Sequence, residues 1–187
     1  MGAAARTAVN PVGPDVPDIP DPVTGAPGTA ELVAALIRGG QTVATAESLT
    51  AGLLAATIAG VPGASAVLRG GLIVYATDLK HRLAGVGEHT LVTEGPVAAA
   101  TAEQLAVGAR TACEADWGVA LTGVAGPDPQ NGCPVGTVFL GVSGPGGTEV
   151  MRLHLAGDRW TIRMNAVRTA VAELGRRRGG AGAADAE

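Results

Sequence analysis

The chain predicts an α/β fold, a three-layer α/β/α sandwich with a mixed sheet of about five or six strands. Three observations predict it. Short β-prone or wholly apolar runs alternate with longer helix-forming segments. A late turn, Gly144-Pro145-Gly146-Gly147, joins two strand-like runs as a hairpin, so the sheet is not purely parallel. Finally, 47% of the 187 residues are hydrophobic but only 2% are aromatic, so helices and sheet must pack through Ala, Val, Leu and Ile.

Residues 1–28 carry six of the twelve prolines between short acidic and Gly-Ala pieces, which predicts a Pro-rich disordered tail. One domain, 29–177, follows. Thr29 opens a helix with Leu32, Ala35 and Leu36 on one side, and Gly39-Gly40 ends it. Thr42–Ala46 reads as a short buried strand. Glu47-Ser48 leads from it into an apolar helix over Leu49–Ala59, which Pro62-Gly63 stops. Gly71–Tyr75 is a second strand, and Asp78–Leu83 a helical turn. Thr93 is placed to cap a long Ala-rich helix reaching about Glu114. Trp117–Thr122 is a third strand, opening into the Gly/Pro loop 123–132. Val135–Val142 and Glu149–Leu155 are the hairpin strands, and a final helix runs from Asp158 to Arg177. Residues 178–187 read as a loose C-terminal tail.

Composition excludes several functions. The net charge of −4 leaves no basic footprint for nucleic acid. No uninterrupted apolar run reaches about 18 residues, so no membrane span is expected. The first residues lack a basic stretch followed by an apolar one, so no secretory signal is expected. Cys113 and Cys133 fit a reduced, cytoplasmic setting. His81, His89 and His154 have no metal-ligand spacing, and no metal is expected.

The candidate chemistry starts with one amine. Twelve of the thirteen basic side chains are Arg; the other is Lys80. A lone Lys in an Arg-biased chain is either chance or a place where a proton must be lost, which a guanidinium cannot do. Tyr75, the single Tyr, lies five residues earlier, where a strand ends. Strand ends are where α/β proteins put their chemistry. A Lys in a partly apolar pocket favours its amine form and can take a proton from a Ser hydroxyl; the other reading is a packed Tyr and a surface Lys. Ser48 likewise reads in two ways, as a helix cap with Glu47 a solvated acid beside it, or as a nucleophile at a helix start whose free N–H groups hold an oxyanion. Gly123-Val-Ala-Gly126-Pro127 is a tight turn able to approach a ligand, and is neither a P-loop nor a dinucleotide fingerprint. Arg159 and Arg163, one helical turn apart, either grip a phosphate or form a solvated face.

In order along residues 29–177, seven pieces resemble the CinA C-terminal domain family, specifically its standalone nicotinamide mononucleotide deamidases of the PncC type. The pieces are Thr45-Ala-Glu-Ser48-Leu-Thr50-Ala-Gly52, Val61-Pro-Gly63-Ala-Ser65, Gly71-Leu-Ile-Val-Tyr75-Ala-Thr-Asp-Leu-Lys80, Leu83-Ala-Gly-Val86, Thr122-Gly-Val-Ala-Gly126-Pro127, Pro134-Val-Gly136-Thr137-Val138 and Gly157-Asp158-Arg159. The resemblance implies an amidohydrolase in pyridine nucleotide salvage, with Ser48 as nucleophile, Lys80 as general base and Tyr75 as a partner in proton transfer. It implies Thr50, Gly52, Thr122, Gly123, Gly126 and Arg159 near the substrate. It implies a small-molecule nucleotide substrate, no cofactor and no metal; a homodimer is the expected assembly. Larger members carry a molybdopterin-binding-like domain ahead of this one, and the short tail here reads as the standalone form. Three departures stand out: Leu49 and Ala51 replace a usual Cys and Gly, and Cys133 replaces a common Lys. They motivate an alternative, a catalytically impaired module that binds a nucleotide or a partner. Hydrolysis of a different amide, or of a pyrophosphate-linked nucleotide, is a third reading.

Overall fold

Five strands form one mixed sheet in the computed structural model, which describes residues 26–184. The Pro-rich tail expected over 1–28 falls outside the described residues up to position 25. The strands are β1 (Val43–Glu47), β2 (Leu68–Ile73), β3 (Trp117–Gly123), β4 (Thr137–Gly144) and β5 (Gly147–His154), in the spatial order β2-β1-β3-β4-β5. β1 runs parallel to both β2 and β3, with Val43 opposite Trp117 and Glu47 opposite Leu121. β4 and β5 are antiparallel, as the hairpin required. Parallel pairing brings the carboxyl ends of β1, β2 and β3 to one edge. The chain leaves β1 towards β2 on one side and returns as β3 on the other, so the strand order reverses between β1 and β3. Open α/β sheets bind ligands at such a reversal.

Helices cover both faces. Successive strand residues point to opposite sides. Val43, Val119 and Leu121 therefore meet Leu36 of α1 (Thr29–Arg38), Leu54 and Ile58 of α2 (Leu53–Ala59), and Ile162, Val167 and Val171 of α6 (Arg159–Ala184). Ala44, Ala46 and Ala120 face the other way, towards α3 (Thr77–Ala84), α4 (Glu88–Thr93) and α5 (Ala99–Ala112). This second layer is built from small residues. A Cβ on Gly118 or Gly141 would collide with the carbonyl of Ala106 or Ala102, so α5 lies directly on the sheet backbone. Close approach replaces the bulk that aromatic side chains would otherwise supply.

Several boundaries differ from the sequence expectation, each for a local reason. α2 begins at Leu53, not Leu49, because Ala51 and Gly52 adopt φ of 52° and 94° and cannot continue a right-handed helix. Residues 48–52 therefore form a turn. The helix expected from Thr93 to Glu114 is two: α4 ends at Thr93, and α5 starts at Ala99 after Gly95 at φ 86° and Pro96. Thr93 caps nothing; its hydroxyl donates back to the His89 carbonyl. The α1 N-cap is Gly28, while Thr29 Oγ1 donates to the Ala26 carbonyl. β2 stops at Ile73, which leaves Tyr75 beyond it. α6 continues to Ala184, where a loose tail was expected from 178. Arg176 pairs with Glu173 and Glu149, and Arg177 donates to the carbonyls of Val142 and Gly147, so the helix is tied to the sheet up to Arg177. No helix among the described residues is long and apolar enough to cross a membrane.

Candidate active site

Ser48 is the first residue after β1, and its backbone N–H donates to the Leu121 carbonyl of β3 at 2.9 Å. That bond fixes it at the point where the strand order reverses. Lys80, on α3, reaches back beneath the end of β2. Its Nζ lies 2.9 Å from Ser48 Oγ, 2.7 Å from the Val74 carbonyl and 3.5 Å from the Tyr75 carbonyl. Lys80 is only 2% exposed. Burial penalises its ammonium form and lowers its pKa from 10.5 to about 8. Two carbonyls orient the amine without adding a full negative charge that would pull the pKa back up. A hydroxyl beside a lysine that loses its proton at modest cost is the arrangement of an activated nucleophile.

The structure overturns the reading of Ser48 as a helix cap with Glu47 as a solvated acid. Glu47 is 1% exposed and does the capping itself. Its carboxylate accepts from the backbone N–H groups of Gly52, Leu54 and Ala55 and from Thr45 Oγ1, at 2.9–3.1 Å. A negative charge at a helix N-terminus meets the free N–H groups and the favourable end of the dipole. The helix-start donors expected to hold an oxyanion are therefore occupied. Within the turn, Ala51 N–H bonds the Ser48 carbonyl. The N–H groups of Leu49 and Thr50 have no partner among the described residues.

Ser48 and Lys80 open into a cleft of about 530 Å³, part of it open to solvent. Leu49, Tyr75, Thr122, Gly123, Gly126 and Arg159 also line it, as do Pro96, Val97, Asp128 and Gln130. Tyr75 is exposed, and its hydroxyl accepts from Arg159 Nη2 at 2.9 Å. Lys80 meets Tyr75 through the main-chain carbonyl, so the phenol faces Arg159 rather than the Ser–Lys pair. Arg159 also donates to the Gly126 carbonyl and so links the ends of β2 and β3 across the cleft rim. Asp158 sets the start of α6 that carries Arg159: its carboxylate accepts from Thr161, which holds its pKa below the usual carboxylate value. Thr122 lines the cleft with its hydroxyl already donated to the Pro96 carbonyl at 2.7 Å. Gly123 packs so closely on Thr137 and Val138 that no side chain fits there.

Two expected substrate neighbours lie elsewhere. Thr50 is fully buried and outside the cleft lining, and its Oγ1 has no partner among the described residues. Gly52 donates to Glu47 and packs near Ile73, also outside the lining. Sequence reasoning missed Glu47 as a cap, although an acid just before a helix start is the usual signal for one. It also left Arg163 open. Its guanidinium is neither a phosphate clamp nor solvated, but donates to the Leu49 and Thr50 carbonyls, both at 2.9 Å. The residues that depart from the family pattern do not intrude on the Ser–Lys pair. Leu49 is 4% exposed and packs into the core, Ala51 sits in the turn, and Cys133 turns its thiol towards the Val97 carbonyl at 3.7 Å, outside the cleft lining.

A sequence model of the CinA C-terminal domain matches residues 26–177. The chain belongs to the CinA C-terminal domain family. Among its relatives, a CinA-like protein of Frankia casuarinae is 48% identical over 136 residues, which is 73% of this chain and 31% of the relative. A putative competence-damage inducible protein of a Geobacillus species is 48% identical over 125 residues, 66% of this chain and 30% of the relative. The chain thus spans about a third of the length of these curated relatives. CinA-superfamily structures share the fold. The Klebsiella pneumoniae protein superposes with a TM-score of 0.80 at 31% identity, covering 82% of this chain and 96% of that one. The competence/damage inducible protein CihA of Agrobacterium tumefaciens gives 0.73 at 37% identity, covering 79% and 93%. The three-layer α/β architecture and mixed sheet are those of this CinA superfamily.

Proposed function

We propose that this CinA-family domain hydrolyses the carboxamide of nicotinamide mononucleotide to nicotinic acid mononucleotide and ammonia. The observation that carries the chemistry is the 2.9 Å contact between Ser48 Oγ and the buried Lys80 amine. The substrate comes from the family resemblance of the motifs that hold this pair. Neutral Lys80 takes the Ser48 hydroxyl proton as Oγ attacks the carboxamide carbon. The carbonyl π pair moves to oxygen, and the unpartnered N–H of Leu49, which lines the cleft, receives that charge. As the intermediate collapses, the C–N bond breaks and the Lys80 ammonium returns its proton to the leaving nitrogen, releasing ammonia. Water then attacks the Ser48 ester with Lys80 again as base. The ester C–O bond breaks, Ser48 recovers its proton, and the acid leaves. Arg159, at the cleft rim, is the cation available to the nucleotide phosphate. The same reading makes the protein a cytoplasmic homodimer of pyridine nucleotide salvage.

The test is purified protein with nicotinamide mononucleotide, following ammonia and the acid product beside Ser48→Ala. Turnover in the parent and none in the variant is expected. Turnover that survives Ser48→Ala rejects the nucleophile. A folded parent that binds the nucleotide without releasing ammonia, by calorimetry, rejects the enzyme reading in favour of a binding module.

A further inference from the structure

The turn at Ser48 is held from two sides, and the account of its backbone groups closes with two donors left over. Ser48 N–H goes to Leu121, Ala51 N–H to the Ser48 carbonyl, and Gly52 N–H to Glu47. The Leu49 and Thr50 carbonyls both go to Arg163, through Nε and Nη2, at 2.9 Å each, and the Thr50 carbonyl also accepts from the Leu53 N–H at 3.2 Å. Arg163 comes from α6, over a hundred residues away in sequence, and its guanidinium lies over the Trp160 ring at 5.6 Å.

A peptide unit is planar and trans, so its C=O and N–H point in opposite directions. The Leu49 carbonyl and the Thr50 N–H belong to one such unit. Anchoring that carbonyl on Arg163 drives the Thr50 N–H away from α6. Anchoring the next carbonyl fixes the following unit, whose Ala51 N–H then holds the Ser48 carbonyl and thereby orients the Leu49 N–H. The same contact keeps two carbonyl dipoles from turning towards a developing anion. Only a planar fork with two N–H groups in fixed relation can take both carbonyls; an ammonium is a single point.

We propose that Arg163 is a positioning residue for the Ser48 centre, setting the peptide planes of the turn so that the Leu49 N–H faces the cleft and takes the negative charge formed on the substrate oxygen. It rests on the reading of Ser48 as nucleophile. Arg163 itself does not line the cleft and touches no reacting atom.

The test uses the full chain with Arg163→Lys and Arg163→Ala, thermal midpoints recorded for both. Two readouts are taken: kcat and KM on nicotinamide mononucleotide, and the rate at which a fluorophosphonate labels Ser48, with Ser48→Ala as the blank. The label needs the same donor but no amide. A misplacement of this kind costs on the order of 100-fold. The expected result is a kcat lowered roughly 10–100-fold with KM within about twofold, labelling slowed in parallel, and partial recovery of Arg163→Ala by added methylguanidinium. Parental kcat and labelling in a folded variant overturn the proposal. So does a raised KM with kcat intact, which makes Arg163 a substrate ligand. So does a loss that tracks the unfolded fraction in both variants and resists rescue. If the parent is labelled but hydrolyses no amide, slower labelling of the variants upholds the Arg163 role while the amidase reading falls. A parent that is neither active nor labelled overturns both.

Discussion

Lys80 can act as a base only to the extent that it is neutral, and that makes pH the decisive perturbation. With a pKa of about 8, roughly 10% of the amine is free at pH 7 and roughly 90% at pH 9. An ordinary lysine would be less than about 0.1% free at pH 7, so burial raises the competent fraction by roughly 200–300-fold. The kcat/KM for nicotinamide mononucleotide should therefore rise about tenfold per unit below the inflection and level off above it, gaining roughly tenfold between pH 7 and 9. Assays from pH 7 upwards avoid the phosphate, whose second pKa lies near 6. Lys80→Arg keeps the charge but cannot give it up, and should lose about 100-fold or more. A flat profile from pH 7 to 9, or an inflection above about 10, would refute the base assignment. Stability supplies an independent check. Between pH 8 and 10.5 the unfolded state holds a proton on Lys80 that the folded state has released. Unfolding then takes up a proton, so stability rises with pH through that window and is lowest below it. The difference between parent and Lys80→Met, followed by denaturant midpoints, should carry that slope.

Two further predictions concern the turn itself. Glu47→Ala strands the N–H groups of Gly52, Leu54 and Ala55, and should destabilise the domain by about 3 kcal/mol or more in urea unfolding; a loss under about 1 kcal/mol would mean that water caps the helix equally well. Ala51→Gly removes a Cβ held at φ 52°, and should stabilise by about 0.5–1 kcal/mol after the entropy of the unfolded glycine is counted. An unchanged or lowered denaturation midpoint would show that the turn relaxes without strain.

Much of the fold was legible because local physics decided it. Gly39-Gly40, Pro62-Gly63 and Gly144-Pro145 punctuated the chain where the backbone required it, and all five strands fell in the expected regions. The errors came where a residue's conformation depends on what surrounds it. Thr93 has the chemistry of a cap, but Gly95-Pro96 breaks the chain just beyond it. Ala51 looks like a helix former, yet the turn that places Ser48 holds it left-handed. Residues from 178 read as a loose tail, yet α6 continues to Ala184 beyond the contacts of Arg176 and Arg177 with Glu149 and Glu173.

The site divides along the same line. Sequence by itself supplied the candidate reactive groups, a Ser at the end of a buried strand and the one lysine in an Arg-rich chain, because hydroxyl and amine chemistry reside in single side chains. It also carried the family, since ordered motifs survive as text. What only the tertiary structure decided was environment. Whether Lys80 is dry, whether Glu47 is a solvated acid or a buried cap, and where Arg163 spends its guanidinium depend on groups as much as 114 residues distant. Solvation and hydrogen-bond geometry are properties of the assembled space around a group, and they come into being only when the strands align and α6 closes over the turn.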